Sequence, residues 1–460
     1  MPKTHQLNQI RRTKYYKSIK QNLKLSLVDK TKNFLLNDRY FDIDNISIRN
    51  IINYNPSDRT TSNSILLLLS GINELKDSCL IFKYSPSYNT DLETNIETEQ
   101  EISIIVSKLF ELRVTPHIFY HIKSIKITDI DDLNKKFKYL YPLSLSGYKY
   151  IRLDKEKSKN QKSIYSDITL FVNETDCLGN KYKLESLKNY FIQNLLTLYL
   201  DNYYILLILM FQIIYTIMSL GKIGIKHNDL HFGNILCLIP IKDDDNFEIT
   251  HNFNSYKFDD NTYNIPDINY SARIFDYDLS CKLSRDDTFK QELRSEIKYI
   301  NYETEYQNIF LNYYDNVNYD ILKFLSYLAI YIYKIKSRNI HRTSIKNLIN
   351  KFGDGDRKPL TFFDQLYSNS KRKDRLNNYS DHNFGNIKTP SAILREIYIE
   401  LITIFPQYNY NSILEKNIGN LYDLNNVYEP VNTNNNLVST FFNKNMNGGF
   451  TKKCKKSAKK

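Results

Sequence analysis

Short apolar runs alternate with polar, turn-forming stretches in the first third of the chain. Longer apolar segments with helical spacing take over afterwards. Ile46-Ser47-Ile48 to Ile52, Ile65-Leu66-Leu67-Leu68-Leu69 and Cys79-Leu80-Ile81-Phe82 are separated by polar stretches, notably Asn55-Pro56-Ser57-Asp58-Arg59-Thr60-Thr61-Ser62-Asn63. Runs of this length between turn signals predict a small antiparallel sheet. The third run ends in Phe82-Lys83-Tyr84, where the lysine either faces a cleft or guards a sheet edge. Glu99-Gln100-Glu101 opens a helical pattern through Ile102, Ile104, Ile105, Leu109 and Leu112. Its spacings give one buried face, and acidic residues in a first turn suit the helix dipole. Thr115-Pro116-His117 ends it. Ile118-Phe119-Tyr120 with Ile125-Lys126-Ile127, then Ile168-Thr169-Leu170-Phe171-Val172, predict further strands.

From about residue 181 the pattern turns helical. Tyr203 to Leu220 is almost wholly apolar and approaches the length of a bilayer span. Gln212, Thr216 and Ser219 interrupt it at three- to four-residue spacing, which predicts the central helix of a helical lobe and no membrane span. Ile235 to Ile239 reads as a strand. Ala272-Arg273-Ile274-Phe275-Asp276 reads as a short strand ending in a carboxylate. Ile321 to Leu328 and Ile393 to Ile397 read as helices. Polar stretches near 130–165, 241–270 and 335–389 are expected to be insertions, 1–40 a basic extension, and 431–460 a flexible Asn- and Lys-rich tail. Gly353-Asp354-Gly355-Asp356 lacks the downstream spacing of a calcium loop and is expected to be a flexible turn.

Composition adds three constraints. Tyr (38) and Phe (25) are abundant, Gly (12) is scarce and Trp is absent. With the excess of Asn, Ile and Lys, this bias suits an AT-rich genome. The net charge of +12 is concentrated at the ends, in Arg11, Arg12, Lys14, Lys17 and Lys20, and in Lys452, Lys453, Lys455, Lys456, Lys459 and Lys460. Basic ends are read as solvated tails open to weak contact with nucleic acid or acidic surfaces. Five scattered Cys without a C-x-x-C pair argue against zinc and for a reducing compartment, and the polar N-terminus has no apolar signal region.

The chemistry concentrates in Gly224-Ile225-Lys226-His227-Asn228-Asp229-Leu230-His231-Phe232-Gly233-Asn234-Ile235-Leu236, a polar loop between buried elements. A carboxylate and an amide five positions apart can accept a proton and help hold a hard cation.

The order of elements resembles the protein kinase-like fold over about residues 40–430. His227, Asp229 and Asn234 are similar to the family's His-x-Asp-x-x-x-x-Asn catalytic loop, and Ile274-Phe275-Asp276-Tyr277-Asp278 to its metal-binding Asp-Phe-Gly segment. The resemblance implies an α+β, bilobal architecture. A small antiparallel-sheet N-lobe would span about 41–173 and a mainly helical C-lobe about 174–430. It implies that Asp229 accepts the acceptor's proton, that Asn234 and Asp276 bind Mg²⁺, and that Lys83 pairs with the ATP phosphates. It also implies that Glu101, preferred to Glu97 or Glu99 for the apolar residues after it, holds Lys83. Asp320 matches either a buried buttress of the loop or a helix-cap carboxylate.

The chain also departs from the family. The segment 55–64 expected to cover the phosphates has no Gly, Asn228 replaces the usual Arg, and Asp278 replaces a Gly. His231 stands where Ser/Thr protein kinases carry a Lys. Asp-Leu-His-x-Gly-Asn is closer to aminoglycoside and choline kinase-like enzymes, and the mixture resembles divergent kinases of large DNA viruses. The expected activity is ATP- and Mg²⁺-dependent transfer to Ser or Thr of an unidentified protein substrate. The setting implied is intracellular, in host cytoplasm or virion for a viral chain. A small-molecule kinase and a non-catalytic pseudokinase are the alternatives.

Overall fold

In the computed structural model the chain is an α+β protein, described over residues 47–52, 65–70, 79–87, 90–127, 167–175, 182–196, 199–240, 253–268, 270–277, 280–282, 318–354, 360–371, 386–404 and 418–427. The terminal extensions 1–40 and 431–460, the segment 55–64, the stretch 130–165 and Asp278 lie outside the described residues.

The early apolar runs form strands β1 (Ser47–Ile52), β2 (Ile65–Ser70) and β3 (Cys79–Ser87). With β4 (Tyr120–Ile127) and β5 (Asp167–Thr175) they make a five-stranded sheet ordered β1-β2-β3-β5-β4. Every pairing in it is antiparallel. Lys83 lies on the central strand, opposite Leu66 on one side and Phe171 on the other, so it is not an edge lysine.

Helix α1 (Thr90–Glu111) packs on β3 and β4. It begins well before Glu99, so the expected first turn is mid-helix and the dipole argument does not apply there. Glu99, Ile102, Val106 and Leu109 are buried, while Glu101 is exposed. At about 100° per residue, Glu101 points roughly 200° away from Glu99. The helix ends with Arg113 at φ 58. Its N–H bonds to Phe110 O (3.1 Å) and that of Val114 to Leu109 O (2.8 Å). This is the left-handed cap usually given to glycine.

Strand β6 (Tyr182–Ser186) leads into α2 (Leu187–Tyr190) and a π turn, Phe191–Leu195. Helix α3 (Leu200–Lys222) is the centre of the core, with every residue from Tyr203 to Ile217 buried. By length and composition it passes for a membrane span, yet 94% of its most apolar stretch is buried inside the protein. The polar interruptions have partners here. Gln212 accepts from Ala272 N (2.8 Å) and donates to Tyr270 O (3.1 Å), and Thr216 meets Thr115 (3.1 Å).

Short strand β7 (Ile225–Lys226) precedes the polar loop, and β8 (Ile235–Pro240) follows it. Strands β9 (Phe253–Phe258) and β10 (Asn261–Pro266) form a hairpin turning at Asp259 and Asp260, both at positive φ (48 and 61). Two left-handed residues match the twist of a tight hairpin. Strand β11 (Ser271–Ile274) joins β8 and β6 in a three-stranded sheet, and β12 (Cys281–Lys282) pairs with β7.

The remaining helices are α4 (Tyr319–Lys334), α5 (Ile340–Asn350), α6 (Phe362–Lys371) and α7 (Pro390–Ile404). Between them β13 (Gly353–Asp354) pairs with β14 (Asn386–Ile387). Strand β15 (Ile418–Asp423) runs parallel to β9.

Two of the stretches expected to be insertions contribute to the core. The hairpin within 241–270 buries Tyr256 and Phe258 beside Phe211 and Tyr215 of α3, with Tyr256 5.3 Å and 5.0 Å from those two rings. Within 335–389, Ile345, Leu348, Ile349, Phe363 and Leu366 join the core. Gly353-Asp354, expected in a flexible turn, is a strand.

Candidate active site

Two residues past the end of helix α3, Gly224 (φ 72) makes the left-handed turn that redirects the chain into β7 and the loop. The loop is fixed by α4 from one side. Asp320 Oδ2 accepts the His227 N–H and Oδ1 accepts the Asn228 N–H, both at 2.8 Å. No cap bond is made by the residue before α4, and Asp320 serves the loop, which decides between its two expected roles. Asn228 sits at φ 63, a conformation Asn tolerates better than most side chains.

His227 locks the loop to the carboxylate strand. Its Nε2 lies 2.9 Å from Phe275 O, and the Asp229 N–H points to its Nδ1 at 3.3 Å. These bonds require the tautomer with the proton on Nε2. Phe275 N donates back to Asn234 O (3.2 Å), and Ser280 Oγ donates to His227 O (3.0 Å).

Asp229 and Asn234 face each other. Asn234 Nδ2 donates to Asp229 O (2.9 Å) and to Asp229 Oδ2 (3.2 Å). Lys323 Nζ, from α4, donates to Asp229 Oδ1 at 2.6 Å and to Asn228 O at 3.1 Å. Burial pushes the Asp229 carboxyl up, but the Lys323 ammonium outweighs it and holds the group below the usual range. His231 accepts the Gly233 N–H at Nδ1 (2.9 Å) and presents Nε2 to Asp229 Oδ2 at 3.6 Å. A Cβ at Gly233 would come within 2.6 Å of that ring, so any larger residue there would have to displace the imidazole. Phe232 anchors the turn against Phe191, Phe324 and Tyr331.

On the other side, Lys83 bonds to both Glu99 and Asp276, and all three side chains are buried. Asp276 holds φ 71 at the end of β11. Left-handed non-glycine residues such as Asn228 and Asp276 often mark functional sites. Burial raises the Glu99 carboxyl above its usual value, Lys83 partly opposes this, and the neighbouring Asp276 charge adds to it. An ammonium and two carboxylates thus meet in one buried cluster.

The structure therefore brings Lys83, Asp276, Asp229 and Asn234 to one region, the last three through the Asn234–Phe275 and His227–Phe275 bonds. Glu101 is not among them, and Glu99 occupies the place expected for it. Helical phase held the missing signal, since Glu99 continues the Ile102–Val106–Leu109 face. Sequence reasoning also passes over Lys323. The signal available is a lysine three residues after Asp320 among Ile321, Leu322, Phe324 and Leu325.

Among the described residues no group of three or more His, Cys, Asp or Glu is placed to hold a metal. Asn234 and Asp276 offer hard oxygen donors instead. The Asn234 amide nitrogen is committed to Asp229, so its oxygen is the donor atom it would offer to a cation. A two-oxygen protein set fits Mg²⁺, which ordinarily completes its shell with water and phosphate oxygens. No protein-family model matches the chain, and the curated proteins return no match to it.

Proposed function

We propose that the chain is an ATP- and Mg²⁺-dependent phosphotransferase of bilobal protein kinase-like architecture, acting on Ser or Thr hydroxyls of a protein. The observation that carries this reading is the joining of two half-sites. Lys83 bridges the helix carboxylate Glu99 and the strand-end carboxylate Asp276, and the segment bearing Asp276 is bonded directly to the Asp229–Asn234 loop. Phosphoryl transfer needs positioning and charge neutralisation more than covalent chemistry.

The roles follow from the contacts. Lys83 on β3 offers an ammonium to the phosphates, and Glu99 fixes its direction. Asn234 and Asp276 would hold Mg²⁺, which when bound neutralises phosphate charge. Asp229, ionised at neutral pH, orients the acceptor hydroxyl. As the acceptor oxygen bonds to the γ-phosphorus, the bond from that phosphorus to the bridging oxygen breaks. ADP leaves and the hydroxyl proton passes to Asp229.

His231 favours a second reading. An imidazole 3.6 Å from the Asp229 carboxylate, where Ser/Thr protein kinases carry Lys, suits a small-molecule acceptor as found with choline kinase-like enzymes.

The test is incubation of the full chain with labelled ATP, Mg²⁺ and a generic protein substrate. Asp229→Asn is expected to cut transfer by roughly 100-fold or more while nucleotide still binds. Transfer to amino alcohols or sugars but not to protein selects the second reading. A wild type as inert as the variant, with neither binding nucleotide, sinks the phosphotransfer assignment.

A further inference from the structure

Helix α4 faces the polar loop with two charged side chains one turn apart. Asp320 takes the loop's backbone N–H groups, and Lys323 takes the Asp229 carboxylate and the Asn228 carbonyl. Lys323 is buried, and its helix neighbours Ile321, Leu322, Phe324 and Leu325 are buried and apolar. An ammonium in such a place is costly unless it is paired and hydrogen-bonded. Packing alone would be met by a methionine of similar length. The paired group is the carboxylate to which the proposed function gives the acceptor hydroxyl.

The loop itself does not supply this cation. Two residues beyond Asp229 stands His231, whose Nδ1 is taken by the Gly233 N–H and whose Nε2 stays 3.6 Å from Oδ2. Lys323 reaches the other oxygen, Oδ1, at 2.6 Å. The Asp229 side chain is therefore held at one oxygen by a lysine from a distant helix and at the other by Asn234.

We infer that Lys323 is a positioning residue for phosphoryl transfer, a cation supplied by helix α4 that clamps Asp229 in the orientation the acceptor hydroxyl requires. The inference rests on the phosphotransfer reading and goes beyond it by assigning the side chain that holds the Asp229 carboxylate in place. Lys323 acts through Asp229 and not on the nucleotide, so its loss falls on turnover.

The experiment compares the full-length wild type with Lys323→Met, Lys323→Arg and the double variant Lys323→Met with His231→Lys. Steady-state transfer gives kcat, and fluorescence titration gives the nucleotide Kd, which also reports an intact fold. Lys323→Met is expected to lower kcat roughly 100-fold while the nucleotide Kd stays within about threefold. Relative to Lys323→Met, both Lys323→Arg and the double variant return a cation to the carboxylate, and each is expected to have a kcat at least about tenfold higher. Recovery through His231→Lys separates this role from helix packing, because that side chain belongs to the loop.

Three results overturn the inference alone, given an active wild type: kcat unchanged in Lys323→Met, an equal loss in nucleotide affinity, or no recovery in either rescue variant. A wild type that neither binds nucleotide nor transfers phosphate overturns the phosphotransfer reading, and this inference with it.

Discussion

Asp320 offers a test of the site's scaffold that needs no assumption about its chemistry. The carboxylate is buried in the first turn of α4 and accepts two backbone N–H groups, from His227 and Asn228, at 2.8 Å each. Asp320→Asn keeps one acceptor oxygen and turns an NH₂ toward the other N–H. One buried donor then loses its partner, and the remaining bond loses its charge assistance. A buried unsatisfied donor costs about 1–3 kcal/mol and a charge-assisted bond contributes about 1.5–3 kcal/mol, so the loss is about 3 kcal/mol. Asp320→Ala abandons both donors and is expected to cost roughly 3–6 kcal/mol. A carboxylate that only complemented the helix dipole would cost about 0.3–1 kcal/mol. The two accounts therefore differ severalfold. Amide hydrogen exchange of the peptide covering 225–230 reads the local loss. About 3 kcal/mol corresponds to exchange roughly 100-fold faster in Asp320→Asn. The shift in urea midpoint reads the global loss. Exchange within about threefold of wild type, or an alanine variant losing no more than about 1 kcal/mol, would refute the buttress.

Two further outcomes are expected. Glu99→Gln should weaken nucleotide binding roughly tenfold by releasing Lys83, whereas Glu101→Gln, on the exposed face, should leave it within about twofold; the reverse ranking in a titration would return the role to Glu101. His117 is buried between Tyr256 and Ser271, and burial, then the Arg273 charge, holds its pKa well below the ordinary value. The unfolded chain therefore takes a proton that the native state refuses as pH falls through about 6.5, so stability declines by about 1.4 kcal/mol per unit below that. His117→Gln should flatten this slope in urea melts, and equal slopes for both proteins would exclude the histidine as its source.

The sequence shows the site more clearly than its supports, for physical reasons. Asp229 and Asn234 lie five apart in one loop, and Asp276 ends an apolar strand, so short-range pattern is enough to find them. Glu99 is hidden because the acidic, polar first half of α1 looks like a loop, which puts the expected helix start too late. Tyr256, Phe258 and Tyr263 sit in an Asn- and Asp-rich stretch whose average polarity conceals a buried hairpin face. The Tyr256 and Phe258 rings close on α3 from far along the chain. Lys323 stands 94 positions from its partner Asp229. A lone lysine on an apolar helix ordinarily extends its charge to solvent, so only the fold reveals that this one points inward.

The cap of α1 has a mechanical consequence. Arg113 O accepts the Asp423 N–H (3.0 Å), Leu112 O accepts from Asn426 Nδ2 (2.9 Å), and Thr115 is tied to Thr216 of α3 (3.1 Å). One end of the helix is thus a fulcrum bolted to the core and to the strand at 418–423. Glu99 lies thirteen residues toward the other end, about 20 Å along the lever at 1.5 Å per residue. A tilt of about 10° about that fulcrum carries its carboxylate roughly 3 Å, enough to part it from Lys83. The far end of α1, held by residues 418–427, therefore bears on the angle at which Glu99 meets Lys83.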